Sequence, residues 1–253
     1  MSLRRVALLF LVTLSCQAQS VAPRSRFVED GVVKGAVAPW KGERIEVDNT
    51  GVTAGGGLEL SAPGTDRVVA TARFLALADT YDKQSADEAI VSAKRSFVVS
   101  TEADVTVVRC GRGPQIKSAT ESGCDALDVA VPTGAADKPL TLVARSGNGS
   151  VRVALSGVSL AVLDLRASHG SIDATTPAPP GASLSIASET GDLVTLRLPR
   201  DFAADELVLD APPGAVDTSA FPDVQAGKGR GEPGRGPRTI TVRAGRIVLA
   251  AQP

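Results

Sequence analysis

The chain has few aromatic side chains, 3% of 253 residues, and it carries a single histidine, a single methionine and three cysteines. So few rings exclude a core organised around them. Val, Leu, Ile and Ala must fill the interior, which suits a narrow and regularly stacked one. The same scarcity excludes a single-strand nucleic-acid binder, which needs aromatic platforms for bases. One histidine excludes a histidine-rich metal centre, and His169 has no Ser/Asp context that would make it part of a triad. It reads as an exposed turn residue beside Gly170. Neither sign of charge prevails: 27 basic residues face 28 acidic ones, for a net charge of -1. That balance points to neither nucleic acid nor an anionic membrane surface. No apolar run reaches the roughly 20 residues of a transmembrane helix.

What is present is more directive. Hydrophobic residues make up 43% of the chain, which excludes a disordered polymer, and 25 glycines and 16 prolines punctuate it with turns. Arg4 and Arg5 precede an apolar or near-apolar run from Val6 to Leu14. Its nine residues are too short to span a bilayer and fit a signal peptide better than a buried N-terminal helix or strand. Thr13-Leu14-Ser15-Cys16 is similar to a lipobox, with Thr13 where an aliphatic residue is usual; the competing cut falls after Ala18. The expected organisation is a signal peptide at 1–18, a Pro-containing tether at 19–43 and one domain at 44–253. The expected destination is the periplasm or the outer membrane as a lipoprotein, or the cell surface. Membrane contact is expected only through lipid on Cys16.

Loss or lipidation of Cys16 leaves Cys110 and Cys124. In an oxidising compartment such a pair becomes a disulfide. The pair is too widely spaced for a C-x-x-C redox site, and no histidine or further cysteine lies near enough for zinc.

Ser85 followed by Glu88 reads as a capping box, which predicts one short helix near 85–95 with Ala86, Ile90 and Ala93 on one face. Elsewhere the chain alternates apolar and polar residues as strands do. From residue 140 it repeats: alternating strand, polar turn, glycine, alternating strand. The turn glycines are Gly149, Gly170, Gly191, Gly214 and Gly245, spaced 21, 21, 23 and 31 residues apart. A near-constant period of 21 favours an all-β, right-handed parallel β-helix over an antiparallel sandwich. In that register Val151, Ile172, Leu193 and Val216, two residues after each glycine, form one interior column. Arg152, Asp173 and Thr195 then face outward. The Gly- and Arg-rich run at 224–238 reads as a flexible insertion or, functionally, as a contact for an acidic envelope polymer. It lacks the Ser or Thr after Lys228 that a phosphate-binding loop needs. Asp173, Asp192 and Asp217 sit at unequal offsets from their glycines, unlike a calcium-binding β-roll.

The segments IEVDNTGVTAGG, CDALDVAVP, SGNGSVRV, ASHGSIDA, SETGDLVTLRLP and DFAADELVLDAPPGAVDTSAF together resemble a bacterial family known as "putative adhesin" domains of unknown function. The resemblance covers about residues 44–250 and rests on order and spacing more than on any one match. It implies a β-solenoid and no catalytic residues. The resulting expectation is a non-enzymatic envelope protein, adhesin or scaffold, without cofactor or metal, whose partner is an envelope protein or polysaccharide. The alternatives are a carbohydrate-active β-helix enzyme with carboxylates on neighbouring turns, or an envelope sensor.

Overall fold

The protein is described by a computed structural model covering residues 23–28, 34–40, 42, 44–53, 55–133 and 138–253. The expected signal peptide and Cys16 lie outside the described residues. Strands β1 (Arg24–Val28), β2 (Lys34–Pro39), β3 (Arg44–Asn49), β4 (Gly57–Ser61) and β5 (Arg67–Asp79) precede helix α1 (Lys83–Ser96). Next come β6 (Phe97–Glu102), β7 (Val105–Cys110), β8 (Glu121–Ala130), β9 (Leu140–Ser146), β10 (Val151–Ala154), β11 (Leu160–Ala167) and β12 (Ile172–Thr175). Then follow β13 (Ser183–Ser188), β14 (Leu193–Leu198), β15 (Glu206–Asp210), β16 (Val216–Asp217), β17 (Thr239–Arg243) and β18 (Arg246–Ala251).

These strands form two large sheets. One has ten strands, in the order β1-β5-β8-β4-β10-β12-β14-β18-β16, with β2 also paired to β5. The other has eight, in the order β15-β17-β13-β11-β9-β3-β7-β6. The all-β expectation and the single helix agree with this, but the regular parallel β-helix does not. Parallel and antiparallel strands are mixed in both sheets. β5 runs antiparallel to β1, β2 and β8, and β6 runs antiparallel to β7. The reason lies in β5. At 13 residues it extends about 43 Å, far longer than one side of a 21-residue repeat allows. Its inward residues Val68, Ala70, Ala72, Phe74, Ala76 and Ala78 are all buried, and most are small. Small side chains let α1 lie close, with Ala86, Ala89, Ile90 and Ala93 buried against β5 and β8. Residues 24–28 and 34–39, expected in a tether, are likewise strands of the sheet.

In the parallel part the strands stack in register, and the arrangement departs from the column expected from the glycine spacing in two ways. Each unit contributes one strand to each sheet. In the ten-stranded sheet Leu58, Val151, Ile172, Val194, Ile247 and Val216 are successive register partners. In the other sheet the matching row is Ile45, Leu142, Leu163, Leu184, Ile240 and Leu207. Period-two alternation points both rows into the core, where each large aliphatic side chain contributes about 1.5–3 kcal/mol by leaving water. The first correction concerns Leu193: it is 36% exposed, and Val194, fully buried, takes its place in the column. One extra residue after Gly191 shifts the parity. The second is spatial order. β17 and β18 lie between the β13/β14 unit and the β15/β16 unit, so the unit of Gly245 sits next to that of Gly191.

The segment 224–238 is part of the fold. Arg230 donates to the Phe202 carbonyl oxygen and, through Nε, to Asp223 (2.9 Å). Its guanidinium also stacks 4.4 Å from the centre of the Phe202 ring, which itself meets Phe221 edge-on. Ala204 and Arg230 form a β-bridge.

Candidate ligand-binding face

Helix α1 is capped by Asp82, three residues before the expected cap at Ser85. Asp82 accepts from Ser85 N (3.0 Å), Ser85 Oγ (2.6 Å) and Ser118 Oγ (2.7 Å). The Ser85 hydroxyl bond, then the Ser118 bond and the Ser85 amide, lower the carboxyl from 3.8 to about 2. Glu88 turns outward to Gln84 and Lys117 and closes no capping box.

Cys110 and Cys124 are joined in a disulfide, with both residues buried. It links the end of β7 in the smaller sheet to β8 in the larger one, so it ties the two sheets together beside β5.

The turn glycines are needed for two different reasons. Gly191 has φ +83°, a conformation that only glycine adopts without strain. Gly245 is a matter of space: a β-carbon there would overlap the Gly191 carbonyl oxygen, and one at Gly149 would overlap the backbone of Gly57. Buried polar side chains at the strand ends fasten these turns. Asn49 Nδ2 donates to the Gly57 carbonyl (2.9 Å), Ser146 Oγ to that of Gly56 (2.5 Å) and Ser188 Oγ to that of Gly170 (3.2 Å).

His169 is exposed in its turn, as expected. Asp192 accepts from Gly170 N and Thr190 Oγ1, and Asp217 from Ser219 N. These contacts hold both carboxyls below the usual aspartate range, with the backbone hydrogen bond foremost in each. They are turn-forming aspartates. Among the described residues no three or more His, Cys, Asp or Glu side chains are grouped to hold a metal ion.

The outward face of the ten-stranded sheet gathers polar residues in register. Thr71, Asp128, Glu59, Arg152, Asp173 and Thr195 follow one another across β5, β8, β4, β10, β12 and β14. Arg152, Asp173 and Thr195 thus stand side by side as the alternation expects. Arg197, one strand on, pairs with Asp173. Part of this row borders a groove of about 510 Å³ lined by Glu59, Asp128, Arg152, Asn148 and Arg73, with Asp125 in its floor. Asp125, only 3% exposed at its side chain, binds Arg26 and the Arg73 guanidinium (2.7 Å) and so ties β1 and β5 to β8. Asp128 is held above its ordinary value, first by partial burial and then by the neighbouring Glu59, against the pull of Arg73. The groove was not legible in the sequence, because Arg26 and Arg73 reach it only through the antiparallel pairing of β5 with β1 and β8.

No family model matches the chain, and no curated protein does. Among solved structures the chain is similar to a "putative cell adhesion protein" from Clostridium sporogenes, at 14% identity and a TM-score of 0.55, over 90% of this chain and 99% of that one. A "putative adhesin" from Bacteroides fragilis aligns at 9% identity and a TM-score of 0.32, over 88% and 98% of the two chains. The first shares the fold.

Proposed function

We propose that the protein is a non-enzymatic component of the bacterial envelope or cell surface. In this reading it holds a protein or polymer partner on the outward face of its ten-stranded sheet. The observation that carries it is the polar row from Asp128 to Thr195 on five adjacent strands. At the strand spacing this row is about 19 Å long, and a core packed on its inner side keeps it rigid. An extended ligand meets charges of both signs there at fixed intervals, which favours specificity. The shared fold with a protein named for cell adhesion, and the reading of 1–18 as an export signal, agree with this function. Among the described residues no helix is long and apolar enough to cross a membrane. The test is binding of the immobilised chain to a panel of envelope polysaccharides and extracellular proteins. Saturable binding that leaves the ligand chemically intact is expected; absence of saturable binding across the panel contradicts the reading.

One observation favours a second reading. Glu59 and Asp128 are direct register partners, and Asp128 has the raised carboxyl expected of a proton donor. Adjacent strands lie about 4.8 Å apart, near the roughly 5 Å that separates the two carboxyls of retaining glycosidases. Release of reducing ends from any glycan, abolished in Glu59→Gln, would establish hydrolysis in place of adhesion.

A further inference from the structure

We propose that the groove on the outward face of the ten-stranded sheet takes an extended peptide segment of a partner protein. A lysine ammonium of that segment sits against Glu59 and Asp128, and an acidic side chain two residues away sits against Arg152. The inference rests on the adhesive reading of this face and names the partner's chemistry.

The groove runs across β5, β8, β4 and β10, three strand spacings or about 14 Å. Its floor is nearly bare backbone. Ala126 and Gly57 are register partners, and the Ser150 carbonyl beside them accepts from Leu58 N (3.0 Å). The fold itself does not require glycine at position 57. Its φ is not positive, and a β-carbon there would be in ordinary contact, 3.7 Å from the Asp125 carbonyl oxygen and 3.8 Å from that of Ser150. A strand glycine of this kind marks a place where a ligand or another backbone comes close.

The side chains around this floor are unevenly paired. On the β5 side both arginines are engaged: buried Asp125 binds Arg26 and takes Nε (3.0 Å) and Nη2 (2.7 Å) of Arg73. Glu59 and Asp128, exposed register partners on β4 and β8, have no ion pair among the described residues, and neither has Arg152 on β10. Carboxylates one strand spacing apart repel, and a cation between them relieves the repulsion. An ammonium is a compact charge with three donors, enough to bridge both. Arg152 offers its planar fork to a carboxylate. The unpaired groups therefore select a ligand that carries both signs.

The spacing selects a peptide. The midpoint between β8 and β4 lies one and a half strand spacings, about 7 Å, from β10; residues i and i+2 of an extended peptide share a face about 6.6 Å apart. A Lys-x-Glu or Lys-x-Asp segment crossing the strands matches that interval, with its same-side side chains in separate subsites. A sugar chain fits less well, because no lining residue is aromatic and no flat apolar ring faces the groove.

The test is fluorescence anisotropy of the full chain with dye-labelled, end-blocked heptapeptides. Saturable binding of a peptide centred on Lys-Gly-Glu is expected, and Lys-Gly-Gly-Glu, whose charges fall on opposite faces, should bind at least about tenfold more weakly. Gly57→Val should weaken binding at least about tenfold without lowering the thermal midpoint. Arg152→Glu should reverse the preference, taking Lys-Gly-Lys over Lys-Gly-Glu, which a merely unfolded variant would not do. Equal binding of the two spacings overturns the proposal, as does an Arg152→Glu chain without the reversed preference. Binding of glucosamine oligomers in place of any peptide overturns it too. A chain that holds an envelope partner through Arg152 but ignores the peptides removes this inference and keeps the binding face. A chain that binds neither the peptides nor any envelope partner removes both.

Discussion

Replacing Val194 and Leu193 separately by alanine probes the register of the parallel strands at the one place where glycine spacing and structure disagree. Val194 is fully buried between Ile172 and Ile247, whereas Leu193 is 36% exposed. Val194→Ala removes two methyl groups, about 1.6 kcal/mol of transfer free energy, and the unfilled space raises the cost to about 2 kcal/mol. Leu193→Ala removes more carbon from a site that water already reaches, and should change stability by no more than about 0.5 kcal/mol. The larger truncation is thus expected to have the smaller effect. Urea unfolding followed by circular dichroism measures both, and an unchanged slope confirms that the difference lies in stability. A greater loss in Leu193→Ala than in Val194→Ala would refute the register and restore the column counted from the glycines.

Three further outcomes follow from the geometry. Opening the Cys110–Cys124 bridge by reduction should cost about 3 kcal/mol through the unfolded chain, and non-reducing mass spectrometry should find no free thiol at either position. Gly245→Ala should destabilise more than Gly214→Ala in thermal melts. The first drives a β-carbon into the Gly191 carbonyl, while the second adds one at a positive φ but in open space. Because its carboxyl is lowered in the folded state, Asp82 stabilises α1 fully above the ordinary value of 3.8 and loses that effect as pH falls toward about 2. Asp82→Ala should flatten the pH dependence of stability within that window.

The parallel units were legible in the sequence because period-two alternation and a glycine per turn are local signals. The failure at Leu193 was legible too: Val194, Leu196 and Leu198 alternate with Thr195 and Arg197, and that parity is better evidence of facing than distance from Gly191. The antiparallel half was not legible. Val68 to Ala78 alternates as any strand does, and nothing local states that it turns back along β8 instead of stacking in parallel. Asp82 caps the helix in place of Ser85, and Ser118, 36 residues away, helps to select it. The insertion at 224–238 reads as loose by composition, but Arg230 finds Phe202 and Phe221 and becomes a folded cap. At the groove, Glu59 and Asp128 meet through the parallel β4–β8 pair, and Arg73 joins them through the long-range pairing of β5 with β8.

The adhesive reading is tested most directly by charge reversal at the centre of the outward row. For whichever polymer or protein the chain binds, Arg152→Glu should weaken binding at least about tenfold, because it reverses one charge in a repeated set of contacts. Arg243→Glu, on the other sheet, should leave it unchanged. Equal affinities for Arg152→Glu and the unaltered chain would contradict the assignment of the ten-stranded sheet as the binding face.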